Sequence, residues 1–322
     1  VGGDPDEFAL DVDAFHARQQ ARFAALPGSM TTLSTHDTKR GEDTRARITA
    51  LAEVPREWAA FLARRRAALD LGDGPFENLL WESIAGSWPR EREALHAYAE
   101  KAAREAGTST TWTAPDAAFE ERLHALVGSV FDDPGTRADL EAIVALIAPA
   151  GWSNGLALKL LQLAGPGVPD VYQGSELWER SLVDPDNRRP VDFAERGALL
   201  ARLDAGELPA VGPDGAAKLL VTSRTLRARR DHPELFDRYL PLPVLGPAAK
   251  HVVAVDRGGA VVVATRLPIG LEGRGGWAGT SLLVAPGRRV DAFTGAEHDG
   301  DVLALDDVLA RYPVALLLPE SR

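Results

Sequence analysis

The sequence predicts a mixed α and β protein, of the α/β or α+β class, in which helices alternate with a few short strands. Two short strand-like runs, residues 30–35 and 168–172, each follow a helical run and each end in a polar cluster. Between them, apolar residues recur at helical spacing through most of the chain. Beyond residue 239 the pattern changes to short β-rich runs separated by glycine turns, which predicts an antiparallel β domain.

Length and composition limit the possible functions. The chain has 322 residues, enough for two or three domains, and its net charge of -11 would repel nucleic acid and anionic membranes. It has no cysteine, which excludes disulfides and thiolate chemistry and is compatible with the cytoplasm. No apolar run predicts a membrane span, no signal peptide is recognised, and the first residue is Val1 rather than methionine. We therefore expect a cytoplasmic fragment with a neutral or cationic partner.

The first part of the chain predicts a helix, a turn and a strand. Apolar residues at helical spacing extend from Phe8 to Leu26, and Pro27 with Gly28 ends this run. Residues 30–35 are short and rich in threonine, as in a buried strand. Five helical runs follow, separated by glycine and proline, which predicts a helical subdomain. They begin near Pro55, Phe76, Pro89, Pro115 and Thr136.

A further helix is predicted at residues 153–164, immediately before the second strand. In a parallel sheet the polar ends of both strands lie at the same, carboxyl-terminal edge, where such sheets bind their ligands. Two more helices are predicted at residues 193–203 and 215–230. The β-rich runs lie at residues 251–255, 260–266, 280–284, 289–293 and 314–318.

The segment LSTHDTKRGED, residues 33–43, crowds a histidine, acids and bases at the end of the first strand. His36 and Asp37 could form a metal pair, an acid–base pair or a sugar-binding pair. The other histidines are scattered and no HExxH or CxxC motif occurs, so we expect no metal and no other cofactor. Alternatively, Asp37 caps a helix that begins near Thr38, because aspartate is a favoured N-cap residue.

The charged neighbours also have two interpretations. Lys39 and Arg40 beside Glu42 and Asp43 could form a solvated, salt-bridged surface. They could instead hold the acids ionised and donate hydrogen bonds to a hydroxyl-rich ligand. Further along, DPDNRRP at residues 184–190 predicts an Asx-rich turn.

The tryptophans divide into two groups. Trp58 and Trp81 are expected in the core, as is usual for tryptophan at helical spacing. Others could stack on sugar rings, namely Trp88, Trp112, Trp152 and Trp178.

Four motifs in order carry a resemblance to a known family: STHDTKRGED, GPFENLLWESIAGSWP, GVPDVYQGSE and DPDNRRPVDF. Together they resemble the last third of the maltooligosyl trehalose synthases of the α-amylase superfamily (glycoside hydrolase family 13), over residues 8–319. The resemblance implies the end of a (β/α)8 barrel, with residues 30–35 as its seventh strand and 168–172 as its eighth. It implies four regions: barrel at 1–40, helical insertion at 41–150, barrel at 151–235 and β-sandwich at 236–322.

The resemblance also implies a function. Such an isomerase converts the reducing-end α-1,4 linkage of a maltooligosaccharide into an α,α-1,1 linkage by intramolecular transglucosylation. Asp37 matches the carboxylate that stabilises the transition state, and His36 matches its sugar-binding neighbour. The nucleophilic aspartate and the acid/base glutamate belong to earlier strands, so this chain alone is expected to be inactive. A grip on the released glucose is implied for Lys39, Arg40, Glu42, Tyr172, Gln173, Glu176, Arg188 and Arg189.

Two alternatives to the synthase stay open at this point. One is another enzyme of the superfamily, a hydrolase or a 4-α-glucanotransferase, and the other is a non-catalytic module that binds glucan. The expected partner is an α-1,4-glucan, with no nucleic acid and no membrane. Two parallel strands leave open edges, so we also expect the missing barrel portion, or self-association, to cover them.

Overall fold

The computed structural model describes residues 6–320, which divide into two compact units. The first five and last two residues, in the regions expected at 1–40 and 236–322, lie outside the described residues. The chain crosses between the units at residues 33, 152, 178 and 190. Unit 1 comprises Val1–Leu33, Ser153–Trp178 and Val191–Arg322, and unit 2 comprises Ser34–Trp152 and Glu179–Pro190.

The described residues form both helices and strands in chain order. The helices are α1 Val12–Ala25, α2 Glu42–Ala50, α3 Pro55–Ala68, α4 Gly74–Ser87, α5 Arg92–Ala106, α6 Ala117–Asp132, α7 Pro134–Ala164, α8 Phe193–Asp204, α9 Ala216–Asp231, α10 Pro268–Gly273 and α11 Leu305–Val308. The strands are β1 Met30–Thr32, β2 Val168–Asp170, β3 Leu240–Pro241, β4 Val244–Leu245, β5 Val252–Asp256, β6 Val261–Thr265, β7 Ser281–Leu283, β8 Arg289–Asp291, β9 Glu297–His298, β10 Val302–Ala304 and β11 Val314–Pro319.

β1 and β2 pair in parallel in unit 1, which confirms that the two short strands are neighbours. Met30 lies opposite Val168 and Thr32 opposite Asp170. Both strands are shorter than predicted, because regular pairing ends at these last residues. The amide Nε2 of Gln162 on α7 donates to a backbone carbonyl of each strand, at 3.1 Å in β1 and 2.7 Å in β2. One side chain therefore ties the two strands together near their carboxyl ends.

The turn between α7 and β2 is held by Arg229 of α9. Its Nη1 donates to the carbonyls of Leu163 (2.8 Å) and Gly165 (2.9 Å), and its Nη2 contacts that of Gly167. Carbonyls at the end of a helix lack intrahelical donors, and this guanidinium donates the missing hydrogen bonds. Gly167 has φ of +97°, and a Cβ there would lie 2.4 Å from the carbonyl oxygen of Ser29, so only glycine fits.

The predicted antiparallel β structure beyond residue 239 is present in unit 1. A six-stranded sheet has the order β3-β5-β6-β11-β8-β9, and a three-stranded sheet has the order β10-β7-β4. Side chains of β6 alternate between two cores: Val262 packs with helix residues such as Leu220, and Val263 packs with Leu282 of the smaller sheet. The larger sheet is therefore covered by helices on one face and by strands on the other.

Unit 2 is helical, and its predicted helices are present. The prediction of two separate helices, one beginning near Thr136 and one at residues 153–164, is wrong, because α7 runs without interruption through Pro149 and joins them. α7 is also, among the described residues, the one helix long and apolar enough to cross a membrane, contrary to the expectation of no such run. Within its most apolar window 61% of the residues are buried inside the protein, as in the core helix of a folded domain.

Aromatic side chains fill the core of unit 2. Phe61 stacks on Trp58 at a centroid distance of 5.2 Å and meets the edge of Trp81 at the same distance. Trp58 and Trp81 are 9% and 1% exposed, which confirms both as core residues. Trp88 is 5% exposed, so it offers no ring face to a sugar and the stacking interpretation is wrong for it.

Gly86 allows α2 and α4 to approach closely within unit 2. A Cβ at this position would lie 2.7 Å from Cγ1 of Ile48 and 3.0 Å from Cγ2 of Thr44. We expect Gly86→Ala to lower the free energy of unfolding by about 1–3 kcal/mol, because the added methyl forces the helices apart. Urea unfolding followed by circular dichroism measures this change.

Gly128 provides the matched control, because it is also a helical glycine of unit 2. A Cβ there would lie 3.6 Å from the Asp132 carboxylate, an ordinary contact. Gly128→Ala is therefore expected to keep stability or to raise it by about 0.5–1 kcal/mol through its higher helix propensity. Equal stability of the two variants would contradict the close packing of α2 on α4.

Candidate functional site

Residues 34–41, the HD loop, lie between β1 and α2 in the chain and contain His36 and Asp37. Hydrogen bonds between Thr35 and Thr38 hold the loop together. The Thr38 hydroxyl accepts from the backbone N–H of Thr35 at 2.5 Å, and the Thr38 N–H donates back to the Thr35 carbonyl at 3.2 Å. The Asp37 N–H donates to the Thr35 hydroxyl at 3.1 Å. The backbone that carries Asp37 is therefore fixed by its own neighbours.

The helix-cap alternative for Asp37 is wrong. α2 begins at Glu42, and its N-cap is Gly41, which makes no side-chain cap hydrogen bond. The N–H of Gly41 instead donates to the carbonyl of Ser181 at 2.8 Å, and that of Glu42 donates to the hydroxyl of Ser34 at 3.0 Å. The predicted start near Thr38 was too early because the threonine-rich loop satisfies its own donors outside the helix.

The side chains of His36 and Asp37 are open to solvent. They are 55% and 85% exposed, and Nε2 of His36 lies 3.3 Å from Oδ2 of Asp37. A solvent-exposed contact of this kind contributes little to stability. Packing therefore does not account for the pair, and both groups are accessible to a ligand.

Asn187 connects the HD loop to residues 184–190. It is 8% exposed, in a short 3-10 turn, Asp186–Arg188. Its Nδ2 lies 2.8 Å from the carbonyl oxygen of His36, and 3.3 and 3.4 Å from those of Thr35 and Thr38. Asn187 is not among the site residues predicted from the sequence, because nothing in DPDNRRP separates this amide from an ordinary turn residue. Its position makes it a clamp on the loop that bears Asp37.

Asp186 fixes the same turn to neighbouring loop residues of unit 2. Its Oδ2 accepts from the N–H of Leu182 at 2.6 Å, while its other oxygen contacts Arg90, whose side chain is 6% exposed. Nε of Arg189 lies 3.2 Å from the same carboxylate. The predicted turn is thus present, and its acid is used for structure rather than left open to a ligand.

The cations of the HD loop have partners on other helices of unit 2. Nζ of Lys39 lies 3.1 Å from the Glu105 carboxylate, and Nε of Arg40 donates to the Ser83 hydroxyl at 2.9 Å. Lys39 keeps 52% of its side chain exposed. Glu42, in contrast, is only 3% exposed. Lys39 can therefore reach a ligand without rearrangement, and the Glu42 carboxylate faces the protein.

The remaining predicted site residues fall into two places. In unit 2, Arg188 pairs with Asp184 at 2.5 Å, and about half of the Arg188 side chain is exposed. In unit 1, the predicted loop residues Tyr172, Gln173 and Glu176 follow β2. The Ser175 hydroxyl and N–H both donate to the Tyr172 carbonyl, Glu176 pairs with Arg196 at 3.2 Å, and Gln173 is exposed. Polar loops thus follow both parallel strands, as predicted.

The structure can be searched for a metal site and for tryptophans that could stack on a sugar ring. Within residues 6–320, no group of three or more histidine, aspartate or glutamate side chains is placed to hold a metal ion. Of the tryptophans considered for stacking, Trp152 and Trp178 are half-buried, and the Trp178 indole donates to the Gly212 carbonyl at 2.7 Å. Trp112 is 57% exposed, so its ring is available.

The fold and the site define a mixed α and β protein with a polar loop after each strand of a parallel pair and an exposed His–Asp pair in the first loop. Comparison with known proteins then shows which proteins the chain resembles. The chain is homologous along its whole length to part of the maltooligosyl trehalose synthases.

The relatives are similar over the full chain but are much longer. A Mycobacterium tuberculosis protein provisionally named maltooligosyl trehalose synthase is 44% identical over 331 aligned residues, covering 100% of this chain and 41% of that protein. The structure of the Arthrobacter ramosus maltooligosyltrehalose synthase is 56% identical with a TM-score of 0.97, over 99% of this chain and 42% of that one. The DSM5389 glycosyltrehalose synthase structure is 29% identical with a TM-score of 0.83, over 99% and 41%. No family model matches the chain.

Proposed function

We propose that this chain is the carboxyl-terminal portion of a maltooligosyl trehalose synthase. The complete enzyme would convert the reducing-end α-1,4 linkage of a maltooligosaccharide into an α,α-1,1 linkage. The observation that carries this proposal is the likeness to the Arthrobacter ramosus synthase over nearly the whole chain. In the same proposal, β1 and β2 are the last two strands of a (β/α)8 barrel of the α-amylase type, residues 41–150 are an insertion, and residues 236–322 form a β-sandwich.

Asp37 and His36 act on the sugar at the cleaved bond in this proposal. Glycosyl transfer passes through an oxocarbenium-like transition state, whose positive charge a nearby carboxylate stabilises. The exposed Asp37 carboxylate is suited to this role, and His36 beside it can donate a hydrogen bond to a hydroxyl of the same sugar. The internal hydrogen bonds of the HD loop support the assignment, because a fixed backbone reduces the reorganisation needed to place the carboxylate during reaction.

The other predicted residues would hold the released glucose. Intramolecular transfer requires that the sugar is gripped and that water is excluded, since water would otherwise intercept the intermediate. Lys39 and Arg40 can donate charge-assisted hydrogen bonds to hydroxyls. Because Glu42 is buried, we assign it to support of the first turn of α2 rather than to direct contact. The same grip would include Tyr172, Gln173, Glu176, Arg188 and Arg189.

The nucleophile and the acid/base lie outside this chain in the proposal, so the isolated chain is expected to be inactive. Incubation with maltopentaose, followed by NMR of the anomeric protons, tests this. The complete protein should form α,α-1,1-linked ends and the isolated chain should form none.

Other products would indicate one of the alternative functions. Turnover by the isolated chain would contradict the claim that essential groups are missing. Dominant release of glucose or maltose by the complete protein would favour a hydrolase, and longer α-1,4 chains would favour a 4-α-glucanotransferase.

A further inference from the structure

A groove of about 650 Å3 lies within unit 2, between α5 and the segment 182–189. Its lining includes Ala94 and Ala97, one helical turn apart on α5, whose small side chains leave room above the helix. Leu182, which is itself buried, also lines the groove, and Trp112 forms a wall. The volume lies within the range of small-molecule sites, which are typically apolar with a few convergent polar groups.

The exposed indole of Trp112 is held in position. The Arg104 guanidinium lies 5.0 Å from its ring centroid. Arg104 is itself fixed by two hydrogen bonds to Glu120, at 2.8 and 2.9 Å, and by an ion pair with Glu100 at 2.7 Å. The hydrogen bond from Arg104 is the main reason that the pKa of Glu120 is lowered to about 2, so this carboxylate stays ionised. A large aromatic ring that is both anchored and 57% exposed is typical of a binding surface.

Charged groups surround the aromatic wall. Glu93 is exposed at one side, and Nζ of Lys101 donates to the carbonyl of Asp184 at 2.7 Å. An ammonium group has three donors, so Lys101 can serve a ligand as well. The rim thus offers a carboxylate that accepts hydrogen bonds and an ammonium group that donates them, around an apolar face. This arrangement suits a sugar ring, which has an apolar face and many hydroxyls.

We propose that this groove is a second sugar-binding site, which takes an α-1,4-glucan segment stacked on Trp112, apart from the HD loop. The choice of an α-1,4-glucan rests on the proposed function. The segment 184–189 contributes Asp184 to the groove, and through Asn187 it holds the carbonyl of His36. One element therefore serves both places, which would let a long substrate engage unit 2 beyond the reacting sugar.

Titration of maltoheptaose into the 322-residue chain by calorimetry tests the groove. We expect Trp112→Ala to weaken binding by about 10- to 30-fold, as for truncation of a central aromatic anchor. Leu146→Ala is the matched control, because Leu146 is a 41% exposed apolar residue of unit 2 that does not line the groove. It should bind as the unmodified chain does. Unchanged binding by Trp112→Ala, or no binding by the unmodified chain, would overturn the proposal.

A spectroscopic measurement keeps the test valid if Trp112→Ala fails to fold. The indole N–H resonance of Trp112, assigned by its absence in Trp112→Phe, should shift and saturate with maltoheptaose. No shift would overturn the groove. Failure of the proposed function gives a different result. If the complete protein forms no α,α-1,1 ends but the 322-residue chain still binds glucan through Trp112, the synthase proposal is refuted and the groove proposal stands.

Discussion

Replacement of Asp37 by asparagine in the complete protein is expected to lower kcat about 10³-fold, the scale measured when one transition-state electrostatic contact is removed. Asparagine keeps the shape and the backbone hydrogen bond of Asp37 but cannot balance the positive charge of the transition state. KM for maltopentaose should change much less, because the lost interaction is strongest in the transition state. Initial rates of formation of α,α-1,1 ends measure both constants.

Asp306→Asn is the matched control for charge removal. Asp306 is an exposed aspartate in the first turn of α11, in unit 1 and distant in sequence from the polar loops. Its amide variant should retain full kcat. A kcat for Asp37→Asn within a few-fold of the unmodified enzyme would rule out the transition-state role and leave Asp37 as an exposed surface acid.

Replacement of Asn187 by alanine is expected to lower kcat about 100-fold, the loss associated with a displacement of roughly 1 Å in a reacting group. The variant loses the donor that holds the carbonyls of Thr35, His36 and Thr38, while Asp37 itself is unchanged. Asn187→Asp should be at least as severe, because it places a carboxylate against carbonyl oxygens. Steady-state kinetics and the backbone amide resonances of the HD loop report the effect.

Two measurements, stability and kcat, distinguish a positioning role of Asn187 from a merely structural one. Ser129→Ala also removes a side-chain hydrogen bond to a backbone carbonyl in unit 2, but far from the HD loop in sequence. It should lose at most about 1 kcal/mol of stability and keep full kcat. If Asn187→Ala behaves like this control, with lower stability and normal kcat, the clamp has no role in positioning Asp37.

Helices were predictable where the signals are local. α4 illustrates this: Asp73 caps it, with the side chain accepting from the Phe76 N–H at 3.1 Å, and Pro75 lies in its first turn. α7 shows the limit. Pro149 and Gly151 lie between the two helices predicted from the sequence, yet a Cβ at residue 151 would lie 2.9 Å from Cβ of Arg47, so this glycine serves close helix packing. Tertiary packing decided what the local pattern left ambiguous.

The candidate site was predictable to the same extent. Crowding of charges after a strand pointed to His36 and Asp37, because that signal lies within a few residues. Asn187 contacts a carbonyl 151 residues away, and no periodicity or motif indicates which backbone group a distant amide will meet. Trp88 and Glu42 are buried in the structure, so Trp88 is not available for sugar stacking and Glu42 faces the protein. The residue type alone does not reveal such burial.

The parallel pairing of β1 with β2 has a consequence for folding. Met30 and Val168 are partners, yet the larger segment of unit 2 lies between them in the chain. The two strands gain nothing until both have been synthesised, and closing so long a loop is costly while it is unfolded. Helices of unit 2 rest on nearer contacts and can form first, which shortens the effective loop. Until then β1 lacks its partner β2, and an unpaired strand edge is open to aggregation.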